Sequence, residues 1–242
     1  MKPILCWLFT AIVPCIAYSQ SKISENYTVK NAQAVVLNFD FPKTVRVSTW
    51  DKNEISVEAT VRVEGVDEKS VFYLEKSESD GKIFIKNKID MEKIPYSYFV
   101  TVGGVKHRFA TKADVDVFVK EQPSGSVKSN YQTRDMQIVV DVKIPANLNT
   151  EITSVYGFVE LQNFKGPIKV EATYGGIEAK LDQQLIGKLR MTNRFGKIYT
   201  NLDLKQNEVK EERFYTAINA TPGKGPSYDF NSSYGNIYLE QP

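Results

Sequence analysis

Histidine, the side chain that most often acts as the general base in nucleophilic catalysis, is scarce in this chain. His107 is its one histidine, and a Ser-His-Asp arrangement needs such a base between a nucleophile and an orienting carboxylate. The residues beside it, Lys106 and Arg108, are both basic, and no nucleophile motif surrounds them. We therefore interpret His107 as an exposed loop residue, and we predict no catalytic residue and no enzyme activity.

One acidic pair has a spacing that could serve metal binding or acid–base chemistry. Asp114 and Asp116 lie two residues apart beside residues 115–119, which we predict to be a strand, so both would point to the same face. Such carboxylates can bind calcium or form the acid pair of a glycosidase. The alternation Ala-Asp-Val-Asp-Val is explained more simply by a strand with one solvated face. We predict no metal site and no cofactor.

An aromatic run gives the best candidate for a binding surface. Tyr96, Tyr98 and Phe99 follow one another closely in the sequence. Exposed, they would form a contact surface for carbohydrate or protein. In the alternative reading Tyr96 and Tyr98 point into the core, and Ser97 and Phe99 point the other way. The sequence leaves both open.

The first residues have the composition of a secretory signal peptide. Lys2 precedes an apolar run over residues 4–17, and Ala17-Tyr18-Ser19 supplies a small-x-small cleavage site. We predict a signal peptide over residues 1–19, with a membrane anchor or a lipoprotein modified at Cys15 as alternatives. The protein is then exported to the periplasm or cell surface of a bacterium.

Cysteine usage and charge restrict the mature chain further. Cys6 and Cys15, the two cysteines, both lie in the predicted signal peptide, so we expect no disulfide and no thiolate metal site. The chain has 31 basic and 29 acidic residues; only Lys2 among them precedes residue 20, which leaves a net charge of +1. This balance predicts no nucleic-acid partner. No later apolar run is long enough to span a bilayer.

The mature chain has the alternating pattern of β-strands. Residues 55–63 alternate strictly between apolar and polar types, and residues 34–39, 44–49 and 136–144 behave similarly. Asp80-Gly81 predicts a hairpin turn between strands at 71–74 and 82–86. No segment after residue 19 shows clear helical spacing.

Three segments are less regular. Residues 90–111 predict an irregular excursion with one or two strands, and residues 122–130 a loop. The charged residues 205–213 predict a loop or a short helix, followed by a strand at 214–220.

An aromatic-Gly pair returns through the last ninety residues, with apolar residues at fixed offsets on both sides. The pairs are Tyr156-Gly157, Tyr174-Gly175, Phe195-Gly196 and Tyr234-Gly235. Four residues before the aromatics lie Ile152, Val170, Met191 and Phe230, and two residues after the glycines lie Val159, Ile177, Ile198 and Ile237. Self-similarity at this period is the signature of a stacked repeat.

Each repeat carries about two short strands, and each strand has one apolar face. A single repeat cannot bury that face, so we expect the repeats to stack with their aliphatic rows inward. The aromatics would align as a ladder, and the glycines would permit a bend or a positive φ at each corner. We predict an all-β fold in which N-terminal antiparallel strands, residues 20–145, continue into a β-solenoid or β-helix-like repeat region, residues 146–242, within one domain.

These motifs resemble a bacterial envelope family. The resemblance is carried by Ile144-Pro145-Ala146-Asn147-Leu148, by Ser154-Val155-Tyr156-Gly157 with the repeats after it, and by the opening strands at 45–57. The family is known as a putative adhesin or domain of unknown function with repetitive β-solenoid-like structures. It implies a similar fold and an adhesive role, and no catalytic residue carries over.

We therefore expect a non-catalytic envelope or surface protein for adhesion or assembly, with an unknown protein or carbohydrate of the cell envelope as partner. One alternative is an exported carbohydrate-active enzyme on a β-helix, although Asp182, Arg190, Arg194 and Asp203 are scattered along the sequence. Another is a periplasmic partner-binding module. In that case the last strand, residues 235–240, would offer an open sheet edge.

Overall fold

The computed structural model describes residues 21–30, 32, 34–63, 66, 68–146, 148–204 and 206–242. The predicted signal peptide, residues 1–19, lies outside the described residues. No helix within this part of the chain is long and apolar enough to cross a membrane.

The protein is all-β, as its alternating patterns predicted. Its strands are β1 (Ser21–Thr28), β2 (Ala34–Phe39), β3 (Thr44–Trp50), β4 (Glu54–Val63), β5 (Phe72–Ser79), β6 (Lys82–Ile89), β7 (Tyr96–Val102), β8 (Val105–Phe109), β9 (Val127–Arg134), β10 (Met136–Pro145), β11 (Asn149–Ser154), β12 (Phe158–Gln162), β13 (Ile168–Ala172), β14 (Ile177–Lys180), β15 (Leu189–Arg194), β16 (Ile198–Thr200), β17 (Gln206–Glu212), β18 (Tyr215–Ala220), β19 (Tyr228–Ser232) and β20 (Ile237–Glu240). Its helices are α1 (Glu68–Val71) and α2 (Lys112–Lys120), with 3-10 turns at Met91–Lys93 and Gln183–Leu185.

Two large sheets enclose the core. The first has the order β1-β4-β10-β3-β12-β14-β20-β16, and the second β17-β18-β15-β19-β13-β11-β2-β6-β5. Buried residues of both sheets belong to one hydrophobic cluster, so the sheets pack face to face.

Five two-strand units build the centre of both sheets. Each unit runs along the second sheet, turns a corner and returns along the first, and the units are β2–β3, β11–β12, β13–β14, β19–β20 and β15–β16. Their strands pair in parallel and in register. The resulting inward rows are Leu37, Ile152, Val170, Phe230 and Met191 in the second sheet, and Val45, Val159, Ile177, Ile237 and Ile198 in the first. All ten side chains are buried except Ile198, which is half-buried. The prediction of inward aliphatic rows is confirmed.

The units do not stack in chain order. The last unit, β19–β20, lies between β13–β14 and β15–β16, and β20 pairs with strands on both sides. The expectation of an open edge at the terminal strand is therefore wrong. The edge strands of the two large sheets are β1, β16, β5 and β17.

The N-terminal strands are only partly antiparallel. β4 pairs antiparallel with β1 and β10, and β5 with β6. In contrast, β2 and β3 pair in parallel on both sides and form the first unit of the stack. The apolar residues of β2 and β3 align with the inward rows of the repeats, so these two strands pack against the core in the same way.

Between β6 and β10 the chain forms a small three-stranded sheet, β8-β7-β9, with α2 against it. The predicted strand at 115–119 is wrong, since these residues lie in α2. Thr111 caps this helix by accepting a hydrogen bond from the Asp114 amide, and Val115, Phe118 and Val119 share helical spacing.

Three other sequence predictions are also wrong. α1 is a second helix, so the expectation of no helix is wrong. Part of the predicted loop at 122–130 belongs to β9, and the predicted loop or helix at 205–213 contains β17.

Candidate functional site: an exposed aromatic ladder

The structure places the candidates for acid–base chemistry in structural roles. The His107 ring lies half-buried on β8, 4.8 Å from the ring of Phe118, so the interpretation of His107 as an exposed loop residue is wrong. Asp114 accepts a hydrogen bond from the Thr111 hydroxyl at 2.7 Å, and Asp116 pairs with Lys112 at 3.2 Å. The prediction that the two aspartates share a strand face is wrong, because both lie on α2, where residues two apart point in different directions.

Shallow cavities lie on the surface of the described chain, and four of them each have one acidic side chain in their lining. These side chains are Asp135, Glu75, Asp182 and Asp116. A glycoside hydrolase uses two carboxyl groups flanking the bond that is cleaved. Among the residues that the structure describes, no three His, Cys, Asp or Glu side chains gather into a group that would hold a metal ion.

The aromatic residues predicted from the 96–99 run lie on β7 but do not form one surface. Tyr96 is exposed, with the Arg134 guanidinium 4.1 Å from its ring centre. Tyr98 lies half-buried beside it, 6.3 Å away. Phe99 points to the opposite sheet face, where it stacks on Tyr131 at 5.3 Å.

A larger aromatic surface runs along one corner of the stack. Six rings follow one another there and form what we call the aromatic ladder: Phe41, Tyr156, Tyr174, Tyr234, Phe195 and Phe214. Successive ring centres are 5.5, 5.3, 5.2, 5.1 and 5.5 Å apart. The three tyrosines at its centre remain 55–56% exposed despite a neighbour on each side. The sequence-based expectation of an aromatic ladder is confirmed.

The backbone holds the ladder in place by hydrogen bonds from one corner to the next. The Tyr156 amide donates to the Asp40 carbonyl at 3.1 Å, and the Tyr174 amide donates to the Val155 carbonyl at 2.8 Å. The Tyr234 amide donates to the Thr173 carbonyl at 2.9 Å. Because each corner is fixed to its neighbour, the rings form a rigid row at the spacing of adjacent strands.

The glycines after the aromatics allow the corners to approach each other closely. A β-carbon on Gly157 would lie 1.9 Å from the Pro42 carbonyl oxygen, and one on Gly175 would lie 2.0 Å from that of Gly157. Likewise, a β-carbon on Gly235 would lie 2.0 Å from the Gly175 carbonyl oxygen, and one on Gly196 would lie 2.2 Å from the Gly235 carbonyl oxygen. None of these four glycines has a positive φ, so the predicted corner exists but the left-handed conformation proposed for it is wrong.

Buried polar side chains form hydrogen bonds to the backbone of the same corners from the core side. The Ser154 hydroxyl donates to the Gly157 carbonyl at 3.0 Å, and the Ser232 hydroxyl donates to the Gly235 carbonyl at 2.9 Å. In the end unit, the Asn193 amide donates to the Gly235 carbonyl at 2.8 Å and its oxygen accepts from the Gly196 amide at 2.7 Å. These hydrogen bonds hold the backbone of the corners from the buried side, while the aromatic rings extend into solvent.

The centre of the aromatic ladder is uncharged. Its three tyrosine corners have the sequences Val-Tyr-Gly-Phe, Thr-Tyr-Gly-Gly and Ser-Tyr-Gly-Asn at 155–158, 173–176 and 233–236. The outer sheet faces differ, since they carry ion pairs such as Arg46–Glu160 at 3.1 Å and Arg190–Asp229 at 3.7 Å. Tyr, Ser, Gly and Asn on a rigid frame are the residue types that dominate antibody binding loops.

Sequence reasoning missed the two ends of the ladder. Phe41 lacks the following glycine, but it lies four residues after the buried Leu37, which is the offset found in the repeats. That four-residue offset could have identified Phe41 as a member of the ladder. Phe214 lies between β17 and β18, which form an antiparallel pair, and no repeat pattern marks it.

No protein-family model matches the sequence, and no curated protein matches it. The chain is similar to a crystal structure from Clostridium sporogenes described as a "putative cell adhesion protein", at 9% identity and a TM-score of 0.49, covering 93% of this chain and 100% of the other. A Bacteroides fragilis structure described as a "putative adhesin" has 8% identity and a TM-score of 0.22, covering 93% and 98%.

Proposed function

We propose that this is a non-catalytic, exported protein of the bacterial envelope or surface, which serves adhesion or assembly through the aromatic ladder. Its scaffold would be a β-solenoid-like stack whose buried rows provide cohesion and whose corner provides the contact surface. The single observation that carries the proposal is the row of six solvent-exposed rings, five of them stacked and the sixth, Phe214, tilted against Phe195.

Exposed aromatics in a contiguous row are unusual on a protein that has no partner. Large apolar patches on soluble proteins mark interaction sites, and tyrosine is enriched where partners bind. Since the corners are fixed by hydrogen bonds, little conformational entropy is lost when a partner docks. A rigid, uncharged row of this kind supports binding rather than bond cleavage.

The test is retention of the purified protein on bacterial envelope fractions. Replacing Tyr156, Tyr174 and Tyr234 together with Ser removes the centre of the ladder, and we expect retention to fall at least tenfold, at about 1.4 kcal/mol for each tenfold change. The matched control replaces Tyr73 and Tyr199, which are also exposed tyrosines, and should leave retention unchanged.

A third variant addresses the surface predicted from the sequence run on β7. Tyr96→Ser with Phe99→Ser changes the small sheet and leaves the ladder intact. If this variant loses retention while the ladder variant keeps it, the contact surface lies on the small sheet and the ladder assignment is wrong. Equal retention by all variants would contradict binding through either surface.

A further inference from the structure

We propose that the aromatic ladder binds an uncharged, extended glycan of β-1,4-linked pyranoses, lying parallel to the row of rings. This inference rests on the proposed function and specifies its ligand. Three properties of the ladder lead to it: its period, its lack of charge and its mixed apolar and hydroxyl character.

The period of the ladder matches a polymer of this kind. Neighbouring rings at its centre are 5.3, 5.2 and 5.1 Å apart, and they are close to parallel, with interplanar angles of 9, 12 and 7°. An extended β-1,4-linked chain advances by nearly the same distance for each sugar. One sugar can therefore meet each ring in turn, whereas an α-1,4-linked chain coils and loses this correspondence.

The chemistry of the row suits a neutral sugar. Each tyrosine offers an apolar ring for the C–H groups of a pyranose and a hydroxyl for its OH groups. Because each central ring is stacked against a neighbour on both sides, a sugar would contact the exposed ring edges and hydroxyls, and the three tyrosines remain 55–56% exposed. Thr173 and Ser233, which directly precede Tyr174 and Tyr234 in the sequence, are half-buried residues with hydroxyl groups.

Charge separates this ligand from anionic polymers. The three central corners carry no charged residue, and charged residues enter only at the end corners, such as Arg194 and Lys197 beside Phe195. A polyanionic glycan would find no cation over the centre of the row, so it would lose hydration there without gaining an ion pair.

A folded protein partner is less well matched. Its surface would present a repeat near 5 Å only where strands stack or along the turns of a helix, at about 5.4 Å. The regularity of the ladder over six rings therefore favours a regular linear polymer, and a protein partner is an outcome that the experiment must distinguish.

The test is calorimetric titration of the full mature chain with defined oligosaccharides. The probes are cellohexaose and chitohexaose, with maltohexaose as the α-linked control and a β-1,4-linked mannuronic acid hexamer as the anionic control. We expect binding of one or both β-linked neutral hexamers, with affinity rising roughly tenfold from the disaccharide to the hexamer as more rings are engaged.

Two variants connect the binding to the ladder. Tyr174→Ala removes the central ring and should weaken hexamer binding roughly three- to tenfold. Tyr199→Ala removes a tyrosine that is similarly exposed and stacked, on Tyr238 at 5.1 Å, and should leave affinity unchanged. Near-ultraviolet circular dichroism confirms that both variants are folded.

Several results would overturn the inference. They are absence of binding to both β-linked hexamers, equal affinity for disaccharide and hexamer, and equal effects of the two variants. Retention on protease-treated envelopes distinguishes failure of the glycan inference from failure of the proposed function. If no glycan binds and protease treatment abolishes ladder-dependent retention, the ligand is a protein and the proposed function stands. If the triple ladder variant is retained like the unchanged protein, the proposed function itself fails.

Discussion

Gly235 packs directly on Gly175: a β-carbon built on Gly235 would lie 2.0 Å from the Gly175 carbonyl oxygen. The contact joins the last unit of the chain to a unit sixty residues earlier, and the rings of Tyr174 and Tyr234 stack above it at 5.2 Å. The close approach of the two backbones and the stacking of the two rings therefore occur at the same corner.

We predict that Gly235→Ala strongly destabilises the protein. The new methyl group would collide with backbone that is fixed by hydrogen bonds, and overpacking of this kind costs about 1–3 kcal/mol. Gly125→Ala is the comparison, because Gly125 has a φ of +77° with no atom within 4 Å of the added carbon, so only backbone strain of about 1 kcal/mol applies. Urea denaturation measures both. A smaller loss for Gly235→Ala than for Gly125→Ala would contradict the role assigned to the corner glycines.

The inward row of the first sheet should show a gradient of sensitivity. Ile177 is fully buried between Val159 and Ile237, so Ile177→Ala should reduce the free energy of unfolding by about 2–5 kcal/mol. Ile198 occupies the end of the same row on the edge strand β16 and is only half-buried. Ile198→Ala should therefore cost less, about 1–2 kcal/mol. Unchanged thermal unfolding of Ile177→Ala would exclude the inward assignment.

Two tyrosines should make the protein sensitive to alkali. Burial raises the pKa of Tyr228 above its ordinary value near 10, and burial together with the nearby Glu25 raises the pKa of Tyr27 to about 12. The unfolded chain ionises near pH 10, while the folded chain still holds these protons. Stability is therefore fully present below pH 10 and declines as the pH rises toward 12.

Tyr228→Phe separates the two effects of this side chain. At neutral pH it removes the hydrogen bond that the Tyr228 hydroxyl donates to the Phe164 carbonyl at 2.9 Å, which should cost about 1 kcal/mol. Above pH 10 the variant should lose stability less steeply than the unchanged protein. Denaturation measured from pH 8 to 12 tests this, and parallel pH profiles would show that Tyr228 ionisation has no part in the decline.

Strands with one buried face were predictable, and strict alternation such as that of residues 55–63 shows that face directly. β9 was not predicted, because its side chains are mostly exposed. α2 was missed because Asp-Val-Asp-Val also alternates. The helical signal was present in the spacing of Val115, Phe118 and Val119, and in Thr111 three residues before Asp114, the spacing of a helix N-cap and the amide it binds.

The order of the units could not be read from the sequence. Every unit offers the same kinds of residue to its neighbours, so aliphatic rows and aromatic corners would match in several orders. The choice depends on particular close contacts, such as that between Gly235 and Gly175, which pattern alone does not rank. At the candidate site, the repeats predicted the central rings of the ladder. Phe214 could not be predicted in this way, because it lies in a hairpin that is not part of any repeat.

Disulfide trapping tests the stack most directly, because the continuous ladder requires the last unit to lie between the second and third repeats. In a chain with Cys6 and Cys15 replaced by Ser, we pair Glu178→Cys with Tyr238→Cys, whose Cα atoms are register partners. The comparison pairs Glu178→Cys with Tyr199→Cys. These positions would be neighbours if the units stacked in the order of the chain, but here they lie on the two sides of β20, about 9–10 Å apart. Disulfides need Cα atoms within about 7 Å. We predict cross-linking of the first pair alone under mild oxidation; cross-linking of the second pair alone would contradict the account.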